Sequence, residues 1–377
     1  MVTRITNGNV LVNGTFQKTD LYIQGNRILS IAGQHAYDET IDAQGNYVTA
    51  GFIDLHCHGG GGADFADGNV DGALCAADTH LKHGTTTLFP TITSSNFTAL
   101  EQAICAVEKA RESMPVLGGI HLEGPYFSPA QTGAQNGNEL RKPQPQEYMH
   151  ILANHKIARW DYAPEMDEDG VFLQALLAAG TIPAAGHTDA TCEQMVQASQ
   201  QGCRLITHLY SCTSTIRRQA GFRIAGVVEA AYLLDDVSAE LIADGCHLPH
   251  SLLQLAYKLK GPDRLALVTD AMRAAGSGES GMFDIGGVPC IIEDGVAKLL
   301  DRSAFAGSVA TADRLIRTCV DAGIPLADSV KMITQTPARL MGLSGKGILD
   351  AGYDADIVIF NENIDIQAVI LQGKQIL

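Results

Sequence analysis

Phe52-Ile53-Asp54-Leu55-His56-Cys57-His58-Gly59-Gly60-Gly61-Gly62 is the stretch on which the reading of this chain turns. Phe52–Leu55 reads as a short apolar strand that runs directly into a His-x-His pair. Side chains alternate faces along a strand, so His56 and His58 point one way and Cys57 the other. Two neighbouring imidazoles followed by glycines that let the backbone turn sharply suit a bound divalent metal. Alone, such a pair fits equally well with two polar histidines at a strand end. Its meaning depends on the rest of the chain.

Downstream, apolar β-branched runs alternate with amphipathic stretches. Strands are expected to begin near Phe52, Thr85, Val116, Ile157, Thr181, Arg204, Val237 and Arg264. Helical segments lie between several of them, at Thr98–Ser113, Asp167–Ala179, Thr191–Gln200 and Pro249–Lys260. Roughly eight strand-then-helix units in one domain predict an α/β fold of the (β/α)8 TIM-barrel type. A doubly wound sheet is the alternative, but no Gly-x-Gly-x-x-Gly follows an early strand. Residues 282–300 read as a β-hairpin inserted after the last strand. Both ends of the chain carry short strands with turn signals, such as Asn13-Gly14 and Gly25-Asn26. Neither end can bury a core alone, so the two are expected to pair. The expected organisation is a small β-sandwich from 1–50 plus 345–377 around a barrel at 51–344.

The 377 residues are 46% hydrophobic and 18% charged, enough apolar material for a large core. A formal charge of −16 argues against a nucleic-acid partner, because such a surface repels phosphodiesters. An anionic substrate would need local basic groups. Nine cysteines lie scattered without a Cys-x-x-Cys, which reads as reduced thiols. The opening Met1–Asn7 has no apolar signal-peptide core, and no apolar run approaches the roughly 20 residues of a membrane span. A cytoplasmic protein with no membrane partner is expected.

In a barrel of this type the site lies at the C-terminal ends of the strands. Those ends carry His56 and His58, Glu123, His187, His208, Asp244 with His247, and Asp270. Singly, each could be a satisfied histidine or a helix-capping carboxylate. Together they gather imidazoles and carboxylates on one rim, a donor set suited to Zn2+, Fe2+, Mn2+ or Co2+. A metal lowers the pKa of bound water from 15.7 to about 7, and a nearby carboxylate can then take its proton and later deliver it to a leaving amine.

The stretches Ala50–Gly59, His121-Leu122-Glu123-Gly124-Pro125, Gly186-His187-Thr188, Thr207-His208-Leu209-Tyr210, Ala243–His247, Val268–Ala271 and Ala306-Gly307-Ser308 follow one another in a recognisable order. In them the chain resembles the amidohydrolase superfamily, and within it the N-acetylglucosamine-6-phosphate deacetylase family. The resemblance implies Glu123, His187 and His208 as a principal metal site, with His56 and His58 offering a second that shares Glu123. One or two divalent ions per subunit follow, Zn2+ foremost. It implies Asp270 as general base and then acid, and His247, Gln135 and Ser308 as substrate contacts, Gln135 standing where many members have a histidine. The implied activity is removal of acetate from N-acetylglucosamine 6-phosphate in amino-sugar catabolism.

The chain departs from the family after Tyr210. Ser211-Cys212-Thr213 replace the usual Asn-Ala-Met, and a loop with Arg217, Arg218 and Arg223 follows. Ser211, Cys212, Arg218 and Arg223 are the expected phosphate-side contacts, since hydroxyls and guanidinium groups can bind a phosphate. In the family an arginine of this loop reaches the neighbouring subunit's substrate, which implies a homodimer. A solvated basic loop is the plainer reading. Other substrates remain open on the sequence: N-acetylgalactosamine 6-phosphate, an unphosphorylated N-acetyl sugar or a cyclic amide. A non-catalytic barrel is disfavoured because no expected ligand is missing. His80 and His83 read as surface or packing residues, Trp160 as core, and His121 as a support for the rim.

Overall fold

The computed structural model describes residues 1–377. Eight parallel strands form the central sheet: β1 (Phe52–Cys57), β2 (Thr85–Thr93), β3 (Ile120–Glu123), β4 (Ile157–Tyr162), β5 (Ile182–Ala185), β6 (Leu205–Ile206), β7 (Ser238–Ile242) and β8 (Leu265–Val268). They are hydrogen-bonded in sequence order from β1 to β8. The expected barrel is present, and the strands begin within a residue of the expected positions except at β3. There Gly118 and Gly119 precede the strand. A Cβ on Gly119 would sit 2.6 Å from Ala158 Cβ, so only glycine lets the backbones approach.

The seam between β8 and β1 closes through a few specific bonds. Asp270 N–H donates to the His56 carbonyl (2.9 Å) and His58 N–H to the Ala271 carbonyl (2.8 Å). The buried Asp54 carboxylate accepts from Thr269 Oγ1 (2.5 Å) and Thr269 N–H (3.2 Å). Closing the barrel therefore brings Asp270 beside the paired histidines.

Helices cover the outside. Phe97–Arg111, Cys192–Gln201 and His250–Lys260 lie close to the expected ranges, whereas Val171–Ala178 starts later because Asp167 caps it from outside, accepting from the N–H groups of Phe172 and Leu173. Trp160 is fully buried, stacked on Tyr126, its indole N–H donating to the Gly124 carbonyl at 2.8 Å. The insert after β8 has one strand more than the expected hairpin: Gly281–Ile285, Val288–Glu293 and Val296–Leu299.

Strands from both chain ends share a separate sheet of eight. Ile357–Phe360 pairs with Tyr47–Ala50, which pairs in parallel with Val2–Val12. Val2–Val12 changes neighbour along its length, pairing with Glu39–Asp42 before a register shift between Ile5 and Gly8 and with Tyr47–Ala50 after it. Ile5, Val10, Leu21, Val48, Ile357 and Ile370 belong to the buried cluster of this sheet. No helix is long and apolar enough to cross a membrane.

The seam makes a prediction. Asp54→Ala leaves two buried N–H groups, of Thr269 and His56, without their acceptor. It should cost on the order of 2–4 kcal/mol of stability, read as a lower urea midpoint of the metal-free protein. An unchanged midpoint would show that the seam does not depend on this carboxylate.

Candidate metal centre and active site

The rim is built where each strand runs out. His187, His208 and Asp270 follow β5, β6 and β8, and all three have left-handed backbone, φ 44°, 28° and 46°. That region is uncommon for residues with a Cβ and clusters at functional sites. At β1 the pairing register with β2 shifts between Asp54 and Cys57. Leu55 packs with Ile53, Ala266 and Val268, yet the next residue, His56, faces the rim carboxylates. The irregularity re-aims the strand end and breaks strict alternation. Beyond it His56 and His58 share one side, their Nε2 atoms 3.1 Å apart, while Cys57 turns to His80.

Glu123 is the hub. Its Oε1 lies 3.1 Å from Nε2 of both His187 and His208 and 3.6 Å from Nε2 of His56. Its Oε2 lies 3.2 Å from His58 Nε2 and accepts from Gln135 Nε2 at 2.7 Å. Asp270 Oδ1 stands 3.2 Å from His58 Nε2 and 3.4 Å from His56 Nε2. All seven side chains are buried. Among these rim residues two groupings have ligand atoms close enough to hold an ion, Glu123–His187–His208 and His56–His58–Glu123. Once deprotonated, imidazoles presenting Nε2 beside a shared carboxylate form a nitrogen and oxygen donor set that fits a divalent cation.

The electrostatics follow from burial among opposite charges. Burial alone favours neutral forms, but His56 and His58 hold the Asp270 carboxyl down at about 2, keeping it ionised. Burial lowers His58, and Asp270 and Glu123 outweigh it, lifting the imidazole to about 9. Glu123 is likewise held well below the usual carboxylate range against its burial, by His56, His187 and His208.

Above the hub opens a cavity of about 260 Å³ whose lining includes His58, Gln135, Tyr210, Ser211, Cys212, His247, Asp270 and Phe305. Gln135 is anchored by Ser94 N–H, which donates to its Oε1 at 2.9 Å. His247 sits with Nδ1 2.8 Å from Asp244 Oδ2, leaving Nε2 available. Gly133 (φ 56°) is required beside Cys212, because a Cβ there would lie 2.4 Å from the sulfur.

Three of the expected substrate contacts stand outside the cavity. Ser308 is fully buried, its Oγ accepting from Ala310 N–H, while its backbone N–H donates to the Asp270 carbonyl; Gly307 is the residue of that segment that lines the cavity. Arg218 and Arg223 face each other across an exposed hairpin, Arg217–Gln219 with Phe222–Ile224, and neither enters an ion pair. Arg217 is tied to Asp189 at 2.7 Å. No lysine or arginine lines the cavity.

Sequence reading missed a polar layer inside the barrel. Arg159 and Asp161 alternate on β4 and Glu240 lies on β7, all fully buried. Charges at every second position of a strand in a fully covered barrel were the available signal. His121 joins this layer, 3.0 Å from Asp161 and 2.9 Å from Thr91 Oγ1, and burial with the Arg159 charge lowers it to about 4. His80 is packed inside, lowered to about 4 by burial, while His83 is half-exposed.

The amidohydrolase family model matches residues 47–376. N-acetylglucosamine-6-phosphate deacetylase of Lysinibacillus sphaericus is 33% identical over 375 residues, covering 97% of this chain and 95% of the relative. The enzyme of that name from Mus musculus is 30% identical, covering 99% and 95%. The crystal structure of N-acetylglucosamine-6-phosphate deacetylase from Pasteurella multocida superposes with a TM-score of 0.93 at 27% identity, covering 100% of this chain and 99% of the other. A mutant of the Mycobacterium smegmatis enzyme in complex with N-acetyl-D-glucosamine-6-phosphate superposes at 0.91 and 29% identity, with 100% and 99% covered. With a matched family model over most of its length and full-length relatives of one name, the chain belongs to the amidohydrolase family, among its N-acetylglucosamine-6-phosphate deacetylases.

Proposed function

We infer that this protein hydrolyses the acetamide of N-acetylglucosamine 6-phosphate to glucosamine 6-phosphate and acetate. The carrying observation is the convergence of four imidazoles on Glu123, with Asp270 beside them, at the floor of a small-molecule cavity. Full-length relatives of that name support the substrate. Glu123, His187 and His208 would hold one divalent ion, and His56 and His58 with Glu123 a second; the nitrogen and oxygen donors suit Zn2+. When bound, the cation makes water acidic and draws charge from the acetyl oxygen.

The chain's own groups do the rest. Asp270, ionised and one contact from His58, takes the proton of the attacking water and returns it to the departing amine nitrogen. Gln135 spends one amide N–H on Glu123 and keeps the other for the acetyl oxygen as negative charge develops there. His247, oriented by Asp244, presents Nε2 to the sugar. Ser211 and Cys212 line the phosphate side, and the absence of a cavity cation gives the hairpin arginines a purpose. Phe222 and Ile216 are 75% and 60% exposed beside Arg218 and Arg223, a combination suited to a second copy of the chain in a homodimer. Free cysteines throughout favour the cytoplasm.

Asp270→Asn should reduce kcat by about 100- to 10,000-fold while metal content stays near that of the parent; loss of the metal would make Asp270 chiefly a ligand. Removing the 6-phosphate from the substrate should lower kcat/KM by at least about tenfold, the worth of one charge-assisted bond. Arg218→Ala with Arg223→Ala should erase that preference through KM, and equal rates on both sugars would remove the hairpin from the reading. Metal uptake should also release protons. His58 lies near 9 in the metal-free site, so it is charged at pH 7 and must lose its proton to ligate. Apparent affinity should therefore rise with pH up to about 9, seen by calorimetry in buffers of different ionisation enthalpy. Heats independent of the buffer would exclude His58 as a ligand.

A further inference from the structure

The polar layer beneath the metal centre has an imbalance. Arg159 is fully buried and already paired with Asp161, Nε to Oδ1 at 2.8 Å and Nη2 to Oδ2 at 3.0 Å. Glu240 brings a second buried carboxylate to the same guanidinium, through Nη1 and through Nη2 at 3.1 Å. Thr207 Oγ1 accepts from Arg159 and donates to Asp161 without adding charge. One guanidinium thus faces two carboxylates, and a buried charge left uncompensated is costly.

The surplus is aimed at the rim. Glu240 Oε2 accepts from the backbone N–H of His208 at 3.3 Å and stands 3.6 Å from Nδ1 of His56. That Nδ1 is buried and has no hydrogen-bond partner. The opposite ring nitrogen, Nε2, is the one directed at His58, Glu123 and Asp270. A carboxylate behind one imidazole nitrogen fixes the tautomer and strengthens the other as a donor. His58 Nδ1 and His208 Nδ1 also lack partners, but the carboxylates paired with those rings approach through Nε2 instead.

We propose that Glu240, held by Arg159, is a positioning residue that orients His56 and so decides whether the His56–His58 side of the centre holds a second divalent ion. This rests on the metal-dependent deacetylase reading and goes beyond it by assigning the two-ion state to a residue outside the ligand set. The mechanism is local. With the carboxylate in place, His56 Nε2 carries its lone pair toward Glu123. Without it, the ring is free to take the tautomer with a proton on Nε2, which cannot ligate.

The test is metal counting on the whole protein. Parent, Glu240→Gln and Glu240→Asp are purified, checked for native circular dichroism, stripped, and titrated with Zn2+ against a chelator of known affinity. Glutamine keeps an acceptor for Arg159 while removing the charge; aspartate keeps the charge but withdraws it from His56. The parent should take two ions and each variant one tight ion, the second weakened about 10- to 100-fold. Two tight ions in either folded variant overturn the proposal, and so does a single ion in the parent. If neither variant folds, proton-detected NMR of the metal-free parent, at a pH where the His56 ring is neutral, reads its tautomer directly, and a proton on Nε2 of that neutral ring overturns it. Acetate release by the parent from N-acetylglucosamine 6-phosphate tests the underlying reading separately, because a one-ion enzyme could still be an active deacetylase.

Discussion

A carboxylate shielded from water organises the centre of this molecule. Glu123 sits at the end of β3 with imidazole nitrogens at 3.1–3.6 Å on three sides and the Gln135 amide on a fourth. A buried anion can persist only where its partners are in place, since removing one leaves an unpaired charge in a medium that cannot solvate it. The partners come from β1, β5, β6 and the loop after β3, so the site is satisfied only when the barrel has closed. Assembly of the fold and assembly of the chemistry are the same event.

That coupling explains where strain and irregularity appear. His187, His208 and Asp270 adopt left-handed backbone just past their strands, and the β1 register shifts between Asp54 and Cys57, around His56. Such conformations cost energy and survive where surrounding contacts over-determine them. The closing bonds between β8 and β1 supply some of that determination, because the same segments carry Asp270 and the histidine pair. The helices and their 65-residue apolar cluster supply the stability that lets the interior be polar. The terminal sheet, with a small core of its own, adjoins β1 through the Gly51 N–H bond to Asp356 O.

The candidate site was unevenly legible. Side chains at strand ends could be read because barrel topology assigns those ends to one face; His56, His58, Glu123, His187, His208 and Asp270 all meet there. Ser308 could not be judged from its neighbourhood in sequence. Its segment lines the cavity through Gly307 while its own hydroxyl turns inward to Ala310. Arg159 and Asp161 carry a local signal in their alternation on β4, but Glu240 looks ordinary alone, and only a folded barrel brings it to them.

The sequence by itself determined the period of the elements, the barrel class, the pairing of the chain ends and which imidazoles and carboxylates stand at the strand ends. These depend on local patterning of apolar residues, on turn residues and on which side chains carry nitrogen or oxygen. The tertiary structure alone decided the β1 phase change that aims His56, the exposure of the arginine hairpin away from a cavity without cations, and the buried ion layer under the rim. Those features rest on distances between strands far apart in the chain. Electrostatic energy in a dry interior depends on such distances, and no local reading of the residues contains them.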